Sequence, residues 1–167
     1  VYHLDANFRQ NLSDLYEREI DNYSTVLDLM SSWDSYLPKG KKYKKVIGHG
    51  LNKQELEKNK IFDSYWIQNF NLNQEIPLEN QSIDYCLMVA AWQYLQYPEN
   101  LTREIERILN HQGKFIIAFS NRAFWHKAPN IWTTSNEEER VQYVRKVLVT
   151  NGFNEPKIIK KFNQPAL

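Results

Sequence analysis

Short apolar runs alternate with amphipathic stretches along this chain, and that alternation constrains the fold more than any other feature. Runs such as STVLDL and GKFIIAFS are apolar without a period of two, which is typical of strands buried on both faces. The predicted strands cover 24–29, 44–50, 63–70, 83–92, 113–120 and 156–162, the last being more polar and placed near an edge. Strands that alternate with helices predict an α/β fold with a doubly wound, mostly parallel sheet.

Helical patterns fill the intervals between the predicted strands. An opening amphipathic helix carries Phe8, Leu12, Leu15 and Tyr16 at helical spacing. Three further helices are predicted. The first begins with a capping box at Asn52 and Glu55, and the second has Pro98 in its first turn. The third begins with a capping box at Ser135 and Glu138 and ends at Gly152. These signals predict one domain over 1–167, with a helical segment at 1–23 and the sheet core at 24–162.

Charge and composition exclude several classes of protein. The formal net charge of +1 predicts neither nucleic acid nor a membrane as partner, and no apolar run reaches the length of a spanning helix. A single cysteine, Cys86, excludes an internal disulfide framework and favours a cytoplasmic location. The four histidines lack the spacing of metal ligands, so no metal site is predicted.

Several motifs and their order resemble one known family. VLDLMSSW, VIGHGLNKQEL, the turn at Pro77–Asp84 and RILNHQGKFIIAFSN are similar to the class I S-adenosylmethionine-dependent methyltransferases. The likeness is greatest to the type 11 methyltransferase-like proteins of cyanobacteria and plastid-bearing lineages, and it covers residues 1–155. It implies a Rossmann-like methyltransferase fold, S-adenosylmethionine as the cofactor, and methyl transfer to an unidentified small-molecule acceptor.

The resemblance also assigns a cofactor site at the carboxyl ends of the first four strands. The implied contacts are Asp28, Met30, Ser31, Ser32, His49, Gly50, Asn52, Asn69, Phe70, Asn71, Ala91 and Trp92. Three family features are missing there: the glycines after Asp28, the ribose-binding acid that Gly50 replaces, and the acid near adenine that Asn69 and Asn71 replace. Losing a charge-assisted pair weakens affinity by about tenfold or more, so weak or lost cofactor binding is predicted as an alternative.

Each of these positions has a second interpretation. Asp28 either contacts the cofactor or caps the short turn that follows it. His49 either bonds the ribose, as Asn52 could, or faces solvent in a loop. Asn69 and Asn71 either pair with the adenine edge or form a polar turn.

A substrate pocket is implied by the loops after strands one, four and five. Its predicted residues are Trp33, Gln93, Tyr94, Asn121, Arg122, Phe124 and Trp125. Tyr94 and His126 are the candidate general bases, although methyl transfer to a strong nucleophile needs none, because alignment and desolvation then supply the catalysis.

The family ends with a seventh strand, antiparallel between strands five and six, and the few residues after 162 are too short to form it. Either the sheet lacks that strand or the chain is incomplete. An exposed sheet edge predicts pairing with another copy of the chain. Two functions therefore stay open: an S-adenosylmethionine-dependent methyltransferase, and a non-catalytic protein of that fold that acts as a binding or assembly module.

Overall fold

Five parallel strands form a single sheet in the computed structural model, which describes residues 4–119 and 136–159. The strands are β1 (Thr25–Leu29), β2 (Lys45–Gly50), β3 (Ser64–Ile67), β4 (Ile83–Val89) and β5 (Leu109–Ala118). Their order is β3-β2-β1-β4-β5, so the direction of winding reverses between β1 and β4. This arrangement confirms the predicted doubly wound α/β fold, and it makes the carboxyl ends of β1 and β4 the expected ligand-binding edge.

The helices lie where the sequence predicts them. They are α1 (Ala6–Glu19), α2 (Lys53–Lys58), α3 (Pro98–Ile108) and α4 (Glu137–Thr150), with one 3₁₀ turn at Trp92–Tyr94. The Asn52 side chain accepts a hydrogen bond from the Glu55 amide, which confirms it as the N-cap of α2. For α4 the N-cap is Asn136, which accepts from the Glu139 amide; the predicted cap, Ser135, lies outside the described residues.

Several strand boundaries differ from the prediction. β3 ends at Ile67 rather than at residue 70, because residues 69–73 form a turn closed by the Asn73 amide on the Asn69 carbonyl. β4 ends at Val89, where Ala90 takes a left-handed φ of 52°. No strand forms over 156–159, while 160–162 lie outside the described residues. The predicted pairing of a free sheet edge with a second chain stays a prediction.

The two faces of the sheet carry separate cores. Leu27, Leu29 and Met88 pack on one face against α3 and α4. Val26 and Leu87 pack on the other face with the buried side chains of α1. This alternation follows from the period of two along each strand. Within the described ranges, no helix combines the length and the apolar character that crossing a membrane requires, and no cluster of side chains is suited to a metal ion.

Candidate functional site

A cavity of about 330 Å³ opens at the carboxyl ends of β1 and β4. This volume is at the lower end of the range of about 300–1,000 Å³ found for small-molecule pockets. Its lining residues are Leu4, Asp28, Leu29, Met30, Ser31, Ser32, Asp34, Ser35, Tyr36, Val89, Ala90, Gln93 and Tyr94. Met30, Tyr36 and Ala90 all have left-handed backbone, with φ of 53°, 57° and 52°. Such strain in non-glycine residues is often concentrated at functional sites.

Asp28 is the buried acid of this cavity. Ser31 Oγ donates to Asp28 Oδ2 at 2.6 Å, and the Ser35 side chain also hydrogen-bonds to it. Burial raises the pKa of Asp28 to about 7, although both serine hydrogen bonds act in the opposite direction and the nearby Asp34 adds to the rise. Ser31, which follows β1 where the family has glycines, therefore binds the acid at the end of that strand, and Ser35 adds a second hydrogen bond.

A hydrogen-bond network continues from Asp28 to α2. Ser35 Oγ accepts from Asn59 Nδ2 at 2.9 Å, and the same nitrogen donates to the Ser32 carbonyl at 3.1 Å. Asn59 follows the last residue of α2 and is buried. The loop after β1 is thus fixed through its side chains and its backbone. Asp28 accepts from the Ser31 and Ser35 side chains, whereas the capping interpretation calls for backbone amides, so a cap and a cofactor contact both stay predictions.

His49 is buried at the end of β2, and the prediction of a solvent-facing histidine is wrong. The Met30 amide donates to its Nδ1 at 2.9 Å, while Nε2 lies 2.8 Å from the Gln68 carbonyl. Because a carbonyl can only accept, Nε2 carries the proton and the ring is neutral. Burial lowers the pKa of His49 to about 4, which the bond to Gln68 only partly opposes.

Aromatic rings surround that imidazole. The Phe70 ring stacks on it with centroids 4.1 Å apart, and the Trp66 ring lies at 4.8 Å. Phe70 is itself buried and belongs to the core on that face of the sheet. The resemblance implies that Phe70 lies against adenine, but the structure places the chain's own histidine against it.

Gly50 is packed under the loop that follows β1. A Cβ on Gly50 would lie 2.6 Å from the backbone oxygen of Ser31 and 3.2 Å from a methyl of Leu56. The Ser31 amide also donates to the His49 carbonyl at 2.7 Å, which holds the loop over the end of β2. No side chain fits at position 50 without a backbone shift, so the acid that the family carries there has no space in this chain.

The predicted asparagines are engaged within the chain. Asn69 is exposed and accepts from the Asn71 amide. Asn71 in turn donates to the Tyr94 carbonyl and accepts from the Gln96 amide. Asn52 caps α2 and is exposed. These contacts fit the polar-turn and capping interpretations, and cofactor contact by these residues stays a prediction.

The residues after β4 separate into two environments. Gln93 and Tyr94 line the cavity, as Met30, Ser31 and Ser32 do. Ala91 and Trp92 are buried in the core between the sheet and α3 and do not line the cavity. Trp33 does not line it either. The remaining predicted pocket residues, Asn121, Arg122, Phe124, Trp125 and His126, lie outside the described residues.

The structure thus brings together only part of the predicted site. Asp28 faces the cavity, Asn69 is exposed, and Trp92 is in the core, so these three do not converge on one cleft. Sequence reasoning missed several lining residues: Leu4, Leu29, Asp34, Ser35, Tyr36, Val89 and Ala90. For 34–36 a signal was available, because the polar run after Trp33 continues directly from the serines.

Comparisons with known proteins concern the fold of this chain. Residues 35–117 match the family model described as a methyltransferase domain, and no curated protein matches the sequence. A solved S-adenosylmethionine-dependent methyltransferase from Aquifex aeolicus is 18% identical with a TM-score of 0.59, over 86% of this chain and 88% of that one. Among eight similar structures, this chain spans from 49% to 88% of the length of each.

Two further similar structures come from proteins of different kinds. One is a chain from a complex containing the Haloferax volcanii Trm112 methyltransferase activator, 18% identical with a TM-score of 0.63, over 88% of this chain and 73% of that one. The other is the [4+2]-cyclase SpnF, 12% identical with a TM-score of 0.62, over 82% of this chain and 56% of that one. The specific likeness to cyanobacterial and plastid-lineage proteins stays a prediction. The family model covers just under half of the chain, and the solved structures show a shared Rossmann-like methyltransferase fold.

Proposed function

We propose that this chain is a methyltransferase-fold protein that binds a small molecule in the cavity between β1 and β4, without holding S-adenosylmethionine in the family's manner. One observation carries the proposal: the Ser31 carbonyl lies where a side chain on Gly50 would begin, 2.6 Å from the ideal Cβ position. The residue that would bind the ribose is therefore absent, and the backbone of the preceding loop lies against its position.

The adenine position supports the same proposal. His49 uses both ring nitrogens within the chain, and Phe70 covers one face of the ring. A base that stacked on the face of Phe70 that His49 covers would have to displace His49 from its hydrogen bonds to Met30 and Gln68. Leaving buried polar groups unpaired costs about 1–3 kcal/mol each, so that rearrangement opposes binding.

The cavity between β1 and β4 remains available to a ligand. It combines an apolar wall, including Leu29 and Val89, with a few polar groups such as Asp28 and Gln93, which is the usual make-up of a small-molecule site. A function other than methyl transfer is compatible with the fold, because one fold supports unrelated chemistries; the structurally similar SpnF is named as a [4+2]-cyclase.

Isothermal titration calorimetry with S-adenosylmethionine and S-adenosylhomocysteine tests the proposal. We expect no binding heat at millimolar ligand, and none with adenosine, which probes the β2–β3 side alone. Two-dimensional amide NMR of the same samples locates any contact that does occur. Micromolar binding of S-adenosylhomocysteine with shifts at Gly50 and Phe70 would overturn the proposal, since it would require the closed side to accept the nucleoside.

Methyl transfer from S-adenosylmethionine to a small acceptor is the second candidate function. It is favoured by the methyltransferase-domain match over 35–117, which begins within the loop after β1 and extends into β5. In that case Asp28, Met30 and Ser31 would contact the methionine end of the cofactor, and Tyr94 would be the described candidate for a general base. Transfer of a labelled methyl group to a small molecule in a cell extract would establish it.

A further inference from the structure

The charged groups that line the cavity between β1 and β4 are carboxyl groups, set among hydroxyl-bearing and apolar side chains. Asp28 and Asp34 both line it, and none of the described lining residues is lysine, arginine or histidine. The Asp34 Oδ1 accepts from the Tyr36 amide, which fixes that carboxylate at the cavity wall. Carboxylates without basic neighbours favour a cationic ligand over an anionic one.

Gln93 provides an independent observation. The side chain is only 2% exposed and lines the cavity, and its Oε1 has no hydrogen-bond partner among the residues that the structure describes. Its Nε2 donates to the Ala90 carbonyl at 2.9 Å. Because that carbonyl can only accept, the amide nitrogen must face it, and the oxygen is the atom left without a partner. A buried acceptor without a partner is stabilised by any ligand that brings a donor.

We propose that the ligand of this cavity is a small amine with an apolar body, whose ammonium group donates to Gln93 Oε1 and pairs with the Asp28 carboxylate. This inference rests on the proposed function and names its ligand class. An ammonium group has three donors and no acceptor, so it matches two acceptors at once. The apolar body would contact Leu29, Met30 and Val89, which form the hydrophobic wall.

The chemistry of Asp28 is compatible with this role. Burial raises its pKa to about 7, so near neutral pH the carboxyl group exchanges between the neutral and the ionised form at little cost. A bound cation favours the ionised form by direct charge pairing. The two serine hydrogen bonds already orient the carboxyl group, so little reorganisation is needed.

A matched set of three probes tests the ligand class: 2-phenylethylamine, 2-phenylethanol and phenylacetate, each titrated against the protein by two-dimensional amide NMR. We expect shifts at Met30, Ala90 and Gln93 with the amine, and binding at least tenfold weaker with the alcohol and the acid. Gln93→Met removes the acceptor with little change of volume and should weaken amine binding about tenfold. Gln96→Met, at an exposed position outside the cavity, is the control and should bind as the parent does.

The outcomes separate this inference from the proposed function. Equal binding of the amine and the alcohol would overturn the amine assignment and leave a small-molecule cavity in place. Absence of binding by all three probes would also overturn it. Binding of S-adenosylhomocysteine with shifts at Gly50 and Phe70 would instead overturn the proposed function. The comparison of three probes uses only the unmodified protein, so it does not depend on the folding of the Gln93 variant.

Discussion

The two halves of the sheet edge at the carboxyl ends of the strands each contain a buried titratable group, and burial shifts the two pKa values in opposite directions. Over β1 and β4, Asp28 lines an open cavity, and burial raises its pKa to about 7. Over β2 and β3, His49 is stacked under Phe70, and burial lowers its pKa to about 4. Desolvation favours the neutral form in both cases, so it shifts an acid upward and a base downward.

One short segment connects the two halves. The Met30 amide donates to His49, and the Ser31 hydroxyl donates to Asp28. The same segment places the Ser31 carbonyl over Gly50. The loop that closes the β2–β3 half is therefore the loop that shapes the cavity in the other half, and the difference between the halves arises from its path.

The largest expected effect is on the pH dependence of the free energy of unfolding, to which Asp28 and His49 should contribute in opposite directions. Asp28 has a raised pKa, so its contribution to the free energy of unfolding is present below about pH 4 and is lost as the pH rises through 7. His49 has a lowered pKa, so its contribution is present above about pH 6.5 and is lost as the pH falls through 4. Each contributes a slope of about 1.4 kcal/mol per pH unit, and the two nearly cancel between pH 4 and 6.5.

Single substitutions should expose each slope. For each variant, the quantity compared is its free energy of unfolding minus that of the parent. For Asp28→Asn this difference should rise by about 4 kcal/mol from pH 4 to 7. For His49→Gln it should fall by about 3 kcal/mol from pH 4 to 6.5. Urea unfolding at half-unit pH steps measures both. Glu79→Gln, which replaces an exposed carboxylate, is the matched control. If the two differences changed in the same direction with pH, the contrast between Asp28 and His49 would be refuted.

The second largest effect is expected at Gly50. Gly50→Ala would place a methyl group 2.6 Å from the Ser31 carbonyl, and overpacking of this kind costs about 1–3 kcal/mol. Gly40→Ala is the matched control, because no heavy atom lies within 4 Å of its added Cβ. Urea unfolding should show a loss for the first variant. The control should be unchanged or gain up to about 1 kcal/mol, since alanine restricts the unfolded chain. If the two variants have the same free energy of unfolding, the loop after β1 is not packed against Gly50.

The fold could be predicted from the sequence because its signals are local. Apolar runs such as TVLDL and IDYCLMV are buried on both faces, and they predict a parallel sheet directly. The cap at Asn52 and the first turn at Pro98 also follow from residues that are neighbours in the chain. The burial of His49 could have been predicted as well, because the period of two along β2 puts it on the face of Ile47, which is in the core.

The site was harder to predict because it depends on contacts between distant segments. The approach of Ser31 to Gly50 joins residues from two strand ends, and no local pattern indicates it. Ala90 takes a left-handed backbone that alanine disfavours, so its sequence gives no sign of the bend that ends β4. A family resemblance assigns roles by position, whereas the path of the loop after β1 decides which positions a ligand can reach.

The smallest expected effect concerns Asn52, and it distinguishes a helix-capping role of this residue from a ligand-binding role. Its side chain accepts from the Glu55 amide at 3.3 Å and caps α2, so Asn52→Ala should lower the free energy of unfolding by about 1 kcal/mol. Asn52→Ser keeps a capping oxygen and should recover most of that loss. Neither variant should change the affinity for a ligand of the β1–β4 cavity, because Asn52 does not line it. A loss of ligand affinity in both variants at full stability would instead assign Asn52 to a binding site that extends across the β2–β3 half.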